Sequence, residues 1–236
     1  MDFTGFKEVL PNCVYAIHDY ATMGTAYLVD SEQKDFLQKS YERKVQFMRE
    51  HNVPIWNGEF GPVYASPDMA DHEQINQQRY NLLGEQLSIY KQDEIHWSIW
   101  LYKDIGFQGM VYTNPDSAYM RLLAPFFAKK KRLGLDKWGR DDTHVAHIYA
   151  PLLQHLKEEI PEEFQRRRYP QHWGLEGHVH RVVREMLVSE LLTYEFAGYF
   201  RDKTLEELDE LAGSFKLENC LKREGLNTIL QDDAGL

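Results

Sequence analysis

Short apolar runs alternate with amphipathic stretches over residues 13 to about 119, and after Pro115 the strand signals stop. The run Cys-Val-Tyr-Ala-Ile-His-Asp-Tyr at 13–20 is β-branched and aromatic, and predicts a buried strand. Over 31–51, Leu37, Tyr41, Val45 and Met48 recur at helical spacing and predict an amphipathic helix. Val53 to Glu59 predicts a second strand, closed by glycine. Residues 70–92 predict a second helix, with Ile75, Leu82, Leu83 and Leu87 on its apolar side. Ile95 to Leu101 predicts a third strand, with Ile95, Trp97 and Ile99 on the face that packs on helices. Strands that start about 40 residues apart leave room for βα units, which typically need about 30 residues or more. The order predicts an α/β arrangement with a parallel sheet.

The second part of the chain reads as helical. Residues 117–127, 144–160 and 176–199 carry helix patterns. The stripe of 144–160 is Val145, Ile148, Leu152, Leu156 and Ile160. That of 176–199 includes Val179, Val183, Met186 and Leu187. The basic, glycine-containing stretch 128–140 reads as a loop or linker. Residues 204–222 and 222–231 predict short terminal helices, and Thr204 with Glu207 matches a capping box. The expected domains are 1–120 and 121–236. Three parallel strands leave two bare edges, so the first strand should need a partner or a cover.

Composition narrows the partners. Lys and Arg number 27 against 37 Asp and Glu, for a net charge of −10, which does not favour nucleic acid or an anionic membrane surface. No apolar run approaches the roughly 20 residues that cross a bilayer. The first residues show no charged leader followed by an apolar core, as a signal peptide would. Localisation and oligomeric state stay open. Two cysteines far apart in sequence, Cys13 and Cys220, build no disulfide framework. Aromatic residues make up 13% of the chain, enough for a large core or for a ligand cleft.

Three short motifs carry candidate chemistry. His18 and Tyr20 are two apart, so on a strand they share a face at its C-terminal end, where parallel α/β folds place their sites. Each also suits a core position. Glu59 closes the second strand between Gly58 and Gly61, a costly place for a carboxylate unless it works or is paired. Such a glutamate also suits a helix cap. Trp97 and Trp100 fall on opposite faces of the third strand, and Trp100 would reach the rim with Lys103 following it. Ten histidines include His144, His147 and His155 on one predicted helix, and His178 and His180 near Glu176, but no spacing typical of zinc ligands appears. No metal is expected, and the basic runs 129–132 and 166–168 read as solvated surface.

His-x-Tyr closing one strand, Gly-Glu-Phe-Gly the next and Trp-x-x-Lys the third resembles the last three strands of glycoside hydrolase family 5, the cellulase and exo-glucanase family of retaining glycosidases. The resemblance covers roughly residues 10–120. It implies the C-terminal portion of a (β/α)8 barrel followed by a mostly helical extension. It also implies a carbohydrate substrate, a β-glucan or related polysaccharide, and no cofactor. By resemblance Glu59 matches the nucleophile, His18 and Tyr20 the pair that brackets it, Trp100 the sugar platform and Lys103 a substrate contact. The family's acid/base lies in an Asn-Glu-Pro motif that this sequence lacks, and the chain begins just before the implied sixth strand. A fragment or truncated form lacking that glutamate is therefore expected. Asp19, Glu94 and Asp104 are the candidate substitutes. The alternatives are a non-catalytic remnant that binds carbohydrate or a partner, and a helical interaction module in residues 120–236.

Overall fold

The computed structural model describes residues 8–20, 31–67, 69–135, 143–165, 167 and 174–235. They form two compact units. The first is Met1–Asn114 with Leu217–Leu236, and the second is Pro115–Lys216.

The first unit runs β1 (Tyr15–His18), α1 (Ser31–His51), β2 (Ile55–Glu59), α2 (His72–Gln92), β3 (His96–Trp97), β4 (Lys103–Asp104) and β5 (Val111–Thr113). The second carries α3 (Ala118–Arg132), α4 (Thr143–Glu159), α5 (Glu162–Gln165) and α6 (Gly174–Val179). A π-helical stretch (His180–Leu187), α7 (Val188–Gly198) and α8 (Leu205–Gly213) complete it. The chain then returns to the first unit with a 3-10 turn (Leu217–Asn219), β6 (Cys220–Lys222) and α9 (Glu224–Ala234).

The sheet β1-β2-β3 is parallel throughout. Alternation along β1 puts Tyr15 and Ile17 into the core and leaves Ala16 exposed and His18 half-buried on the other face. The core-facing side meets Leu37, Tyr41, Val45 and Met48 of α1, all buried as their spacing predicts, and Leu82, Leu83 and Leu87 of α2. Ile95, Trp97 and Ile99 pack against the same cluster, and Phe60 sets its ring edge to Tyr90 and Trp97. Leu226 and Leu230 of α9 complete it. The fold is mixed α/β, and the described residues close no barrel. On its free side β1 has no strand partner among the described residues.

Several expected elements are corrected. The third strand holds two ladder residues rather than seven, although the Ser98 and Trp100 amides still donate to the Asn57 and Phe60 carbonyls, each at 2.9 Å. Strands do not stop at Pro115. The small sheet β4-β5-β6 brings Cys220–Lys222, expected as helix, antiparallel onto β5. Strands of two or three residues are too short to show a period. A tight turn precedes β5. The Asp104 carboxylate accepts from the amides of Gly106, Phe107 and Gln108. A Cβ on Gly109 would stand 2.4 Å from the Val111 carbonyl oxygen, so only glycine fits there. Arg223 locks this turn from the returning segment. It donates to the carbonyls of Gly109 and Gly106 and lies between the Tyr64 and Tyr112 rings.

In the second unit, Ala128–Arg132 is not a linker but the last turn of α3. Lysine and arginine are good helix formers, and cations suit a helix C-terminus. The helix stops just before Gly134, which takes a left-handed φ of 67°. The rest of the expected linker, 136–140, lies outside the described residues, as do Arg166 and Arg168. The stripes expected on the two long helices are only partly buried. α4 hides Val145 and Leu153 but exposes Ile148 and Leu152. Val179 is buried while Met186 and Leu187 are exposed. The π-helical turn at 180–187 accounts for the second case, because an i→i+5 turn rotates the following side chains off the 3.6-residue face. Thr204 and Glu207 make the expected capping box, but α8 ends at Gly213.

Candidate active site

Two strand ends and one irregularity build the site. β1 and β2 pair in step from Tyr15 opposite Ile55 to Ile17 opposite Asn57. The register then slips, so that His18 lies opposite Glu59 and Gly58 is the extra residue. Plain alternation would turn Glu59 the same way as Asn57, which is fully buried. The bulge turns it instead to the side of His18 and Tyr20. Bulges re-aim side chains in this way.

The Tyr20 hydroxyl donates to Glu59 Oε2 at 2.9 Å, and His18 Nδ1 lies 3.4 Å from the same oxygen. The His18 and Glu59 side chains keep 40% and 29% of their surface exposed, so the carboxylate is held yet reachable. Burial, then the hydrogen bond to Glu59 and that carboxylate's charge, hold the Tyr20 phenol well above the usual tyrosine range. Tyr20 therefore keeps its proton through the neutral range and remains a donor to Glu59.

Trp100 is fixed by its main chain beside Phe60, and the residue is 43% exposed. Lys103 lies on β4, opposite Val111, in the second sheet rather than the one that carries Glu59. The three candidate substitute acids are otherwise placed. Asp19 is buried in an ion pair with Lys44. Asp104 is engaged by three turn amides. Glu94 sits between α2 and β3, at the strand's N-terminal end and so at the opposite end of the sheet from Glu59. No group of three His, Cys, Asp or Glu among the described residues is placed to hold a metal ion. No helix among them is long and apolar enough to cross a membrane.

A polar cluster behind the site was not expected. Asp19 faces the helices between His18 and Tyr20, and Lys44, Gln86 and Tyr90 converge on it. The signal was present in the alternation. If His18 and Tyr20 face one way, the carboxylate between them must enter the core and find a cation. Lys44, three residues beyond Tyr41 on the buried stripe, was available.

Comparison with known proteins agrees with these motifs. A beta-xylosidase of Phanerodontia chrysosporium is 47% identical over 247 residues, an alignment that takes in 100% of this chain and 52% of that protein. The chain thus spans about half the length of this relative. No solved structure matches it. The family whose model it matches, over residues 6–106, is Cellulase (glycosyl hydrolase family 5), the family that the His18–Tyr20, Glu59 and Trp100 motifs resemble.

Proposed function

We propose that the first unit is the C-terminal part of a (β/α)8 barrel and that Glu59 is the nucleophile of a retaining glycosidase. The observation that carries this reading is the Glu59 carboxylate, partly exposed at the C-terminal end of a parallel strand and held by Tyr20 and His18. A nucleophilic carboxylate must be ionised and fixed in direction. A donor that keeps its proton meets both needs. The substrate is a β-linked glycoside. The similarity to a beta-xylosidase favours xylosides beside β-glucans. Trp100, which is partly exposed, supplies the indole on which a pyranose stacks, and Lys103 contributes to substrate binding.

In the first step Glu59 attacks the anomeric carbon. The glycosidic C–O bond breaks, and the leaving oxygen takes a proton from an acid. Water then releases the sugar from Glu59. The two carboxyl groups of such a mechanism stand about 5–5.5 Å apart. Asp19, Glu94 and Asp104 are all placed for other roles, so none of these three is that acid, and on this reading a longer protein that carries the chain supplies it. The same observation favours a second reading, in which the chain by itself binds sugar without cleaving it.

A 2,4-dinitrophenyl 2-deoxy-2-fluoro-β-xyloside tests the nucleophile, because its leaving group needs no acid. A longer protein that carries this chain should gain the mass of one fluoroxylosyl group on Glu59, and the Glu59→Gln variant should gain none. An adduct on another residue, or undiminished turnover in Glu59→Gln, overturns the assignment. The chain 1–236 alone should release no reducing sugar from β-glucan or xylan, since lack of a proton donor costs roughly 10²–10⁴-fold.

A further inference from the structure

Every polar function of Asp19 is engaged. Its carboxylate accepts from the Lys44 ammonium and, at 2.7 Å, from the Tyr90 hydroxyl. Its carbonyl accepts from Gln86 Nε2 at 2.8 Å, and its amide donates to the Glu59 carbonyl at 2.9 Å. Asp19 is 3% exposed, and Lys44, Gln86 and Tyr90 are buried with it. One residue of the chain thus joins α1, α2 and both strand ends, immediately past the bulge. Asn57, its amide turned to suit its neighbours, donates to the carbonyls of Ile17 and Glu59 on either side of the same irregularity.

Stability alone is a poor reason for this arrangement. A buried ion pair is often no better than a well-packed apolar pair of the same volume. What an apolar pair lacks is direction. Donors from two helices fix the Asp19 carboxylate and carbonyl at one orientation, and its two chain neighbours, His18 and Tyr20, must then turn to the opposite face. At a bulge the pairing beyond the extra residue is set separately from the pairing before it, and a shift of one residue exchanges the faces. Slipped here, β2 would carry Glu59 away from Tyr20.

We propose that Asp19 is a positioning residue for the Glu59 site. Through Lys44, Gln86 and Tyr90 it pins the bulged pairing of β1 and β2 that brings His18 and Tyr20 to the carboxylate. Its use in catalysis rests on the reading of Glu59 as the nucleophile, but its geometry can be tested without turnover. The chain 1–236 is prepared with tyrosine labelled with carbon-13 at Cζ, and the Tyr20 resonance is assigned by its loss in Tyr20→Phe. This resonance reports the hydrogen bond from the phenol, so Glu59→Gln defines its displacement when the carboxylate partner is gone.

Asp19→Asn alone strands the Lys44 cation and can unfold the chain. The pair Asp19→Asn with Lys44→Met removes both charges at nearly constant volume. In the folded double variant the Tyr20 resonance should move at least half as far as in Glu59→Gln, and in the same direction. Tyr41→Phe breaks the separate Tyr41–Asp93 hydrogen bond between α1 and the end of α2, and should leave the Tyr20 resonance in place. An unmoved Tyr20 resonance in the double variant overturns the proposal, as does an equal movement in Tyr41→Phe. If the double variant behaves as expected while Glu59→Gln keeps full turnover in the longer protein, the nucleophile assignment fails and the positioning role stands.

Discussion

The strand-bearing unit buries one contiguous apolar cluster drawn from β1, the segment just after β2, α1, α2 and α9, whereas the helical unit buries scattered positions and leaves large side chains in solvent. Met186, Leu191 and Tyr194 are 67%, 70% and 83% exposed, while in the other unit Ile17, Val45, Phe60 and Leu83 are not exposed at all. A sheet offers a face against which two helices can each keep one stripe. Helices packed on helices must hold a common period, and the π turn at 180–187 breaks it. Buried charge in the first unit is tied into a directed network that ends at a candidate site, and this kind of order needs a rigid backing.

Removing a ring from each unit is the strongest way to test the contrast. Phe60→Ala should cost about 3–5 kcal/mol, because Tyr90, Trp97 and the surrounding core cannot collapse into the space. Phe126→Ala removes contacts with Phe196 and Tyr199 in the looser unit and should cost about 3 kcal/mol or less. Hydrogen exchange at α2 and α3 amides measures the two separately. Equal losses would remove the distinction.

A smaller effect sharpens it at a helix end. Thr204→Ala deletes one half of the capping box of α8 and should cost about 1 kcal/mol. Faster exchange should appear in the first turn of α8 and leave the amides of β2 unchanged.

The smallest effect is electrostatic. Burial opposes ionisation of Asp93, but the Tyr41 hydroxyl and Arg49 outweigh it and hold its carboxyl below the usual range. A carboxyl held lower in the folded state adds stability that is complete above about pH 4 and fades as the pH falls through the folded value. Because the group is partly solvated, the gain is modest. Asp93→Asn should flatten the acid limb of a stability–pH curve. An unchanged limb would show that the pairing adds nothing.

Much of the first unit was legible in the sequence, for reasons that particular residues make clear. Leu37, Tyr41, Val45 and Met48 lie on a 21-residue helix, long enough for the period to outweigh local exceptions. His18 and Tyr20 share a face because residues two apart in extended chain need no other information, although the expected strand 13–20 holds only Tyr15–His18. Glu59 was found beside Tyr20 although alternation within β2 points it elsewhere. Only the family resemblance suggested the pairing, since a register slip between two strands leaves no mark in either one. β6 was missed because Cys-Leu-Lys becomes a strand only when Val111–Thr113 is there to receive it. The stripes of Ile148 and Met186 misled because a period shows which residues share a helix face, not what covers that face.

The return of the chain to its first unit has a consequence for the nascent protein. Leu226 and Leu230 belong to the same core as Ile17 and Leu83, yet roughly a hundred residues of the other unit lie between them in the chain. At about 5–20 residues per second, a ribosome needs roughly 5–20 s to cross that stretch. For that interval β1, β2 and their two helices stand outside the exit tunnel with one wall of their core unmade. A holdase has those seconds in which to shield them, and α9 ends the need for it when it docks.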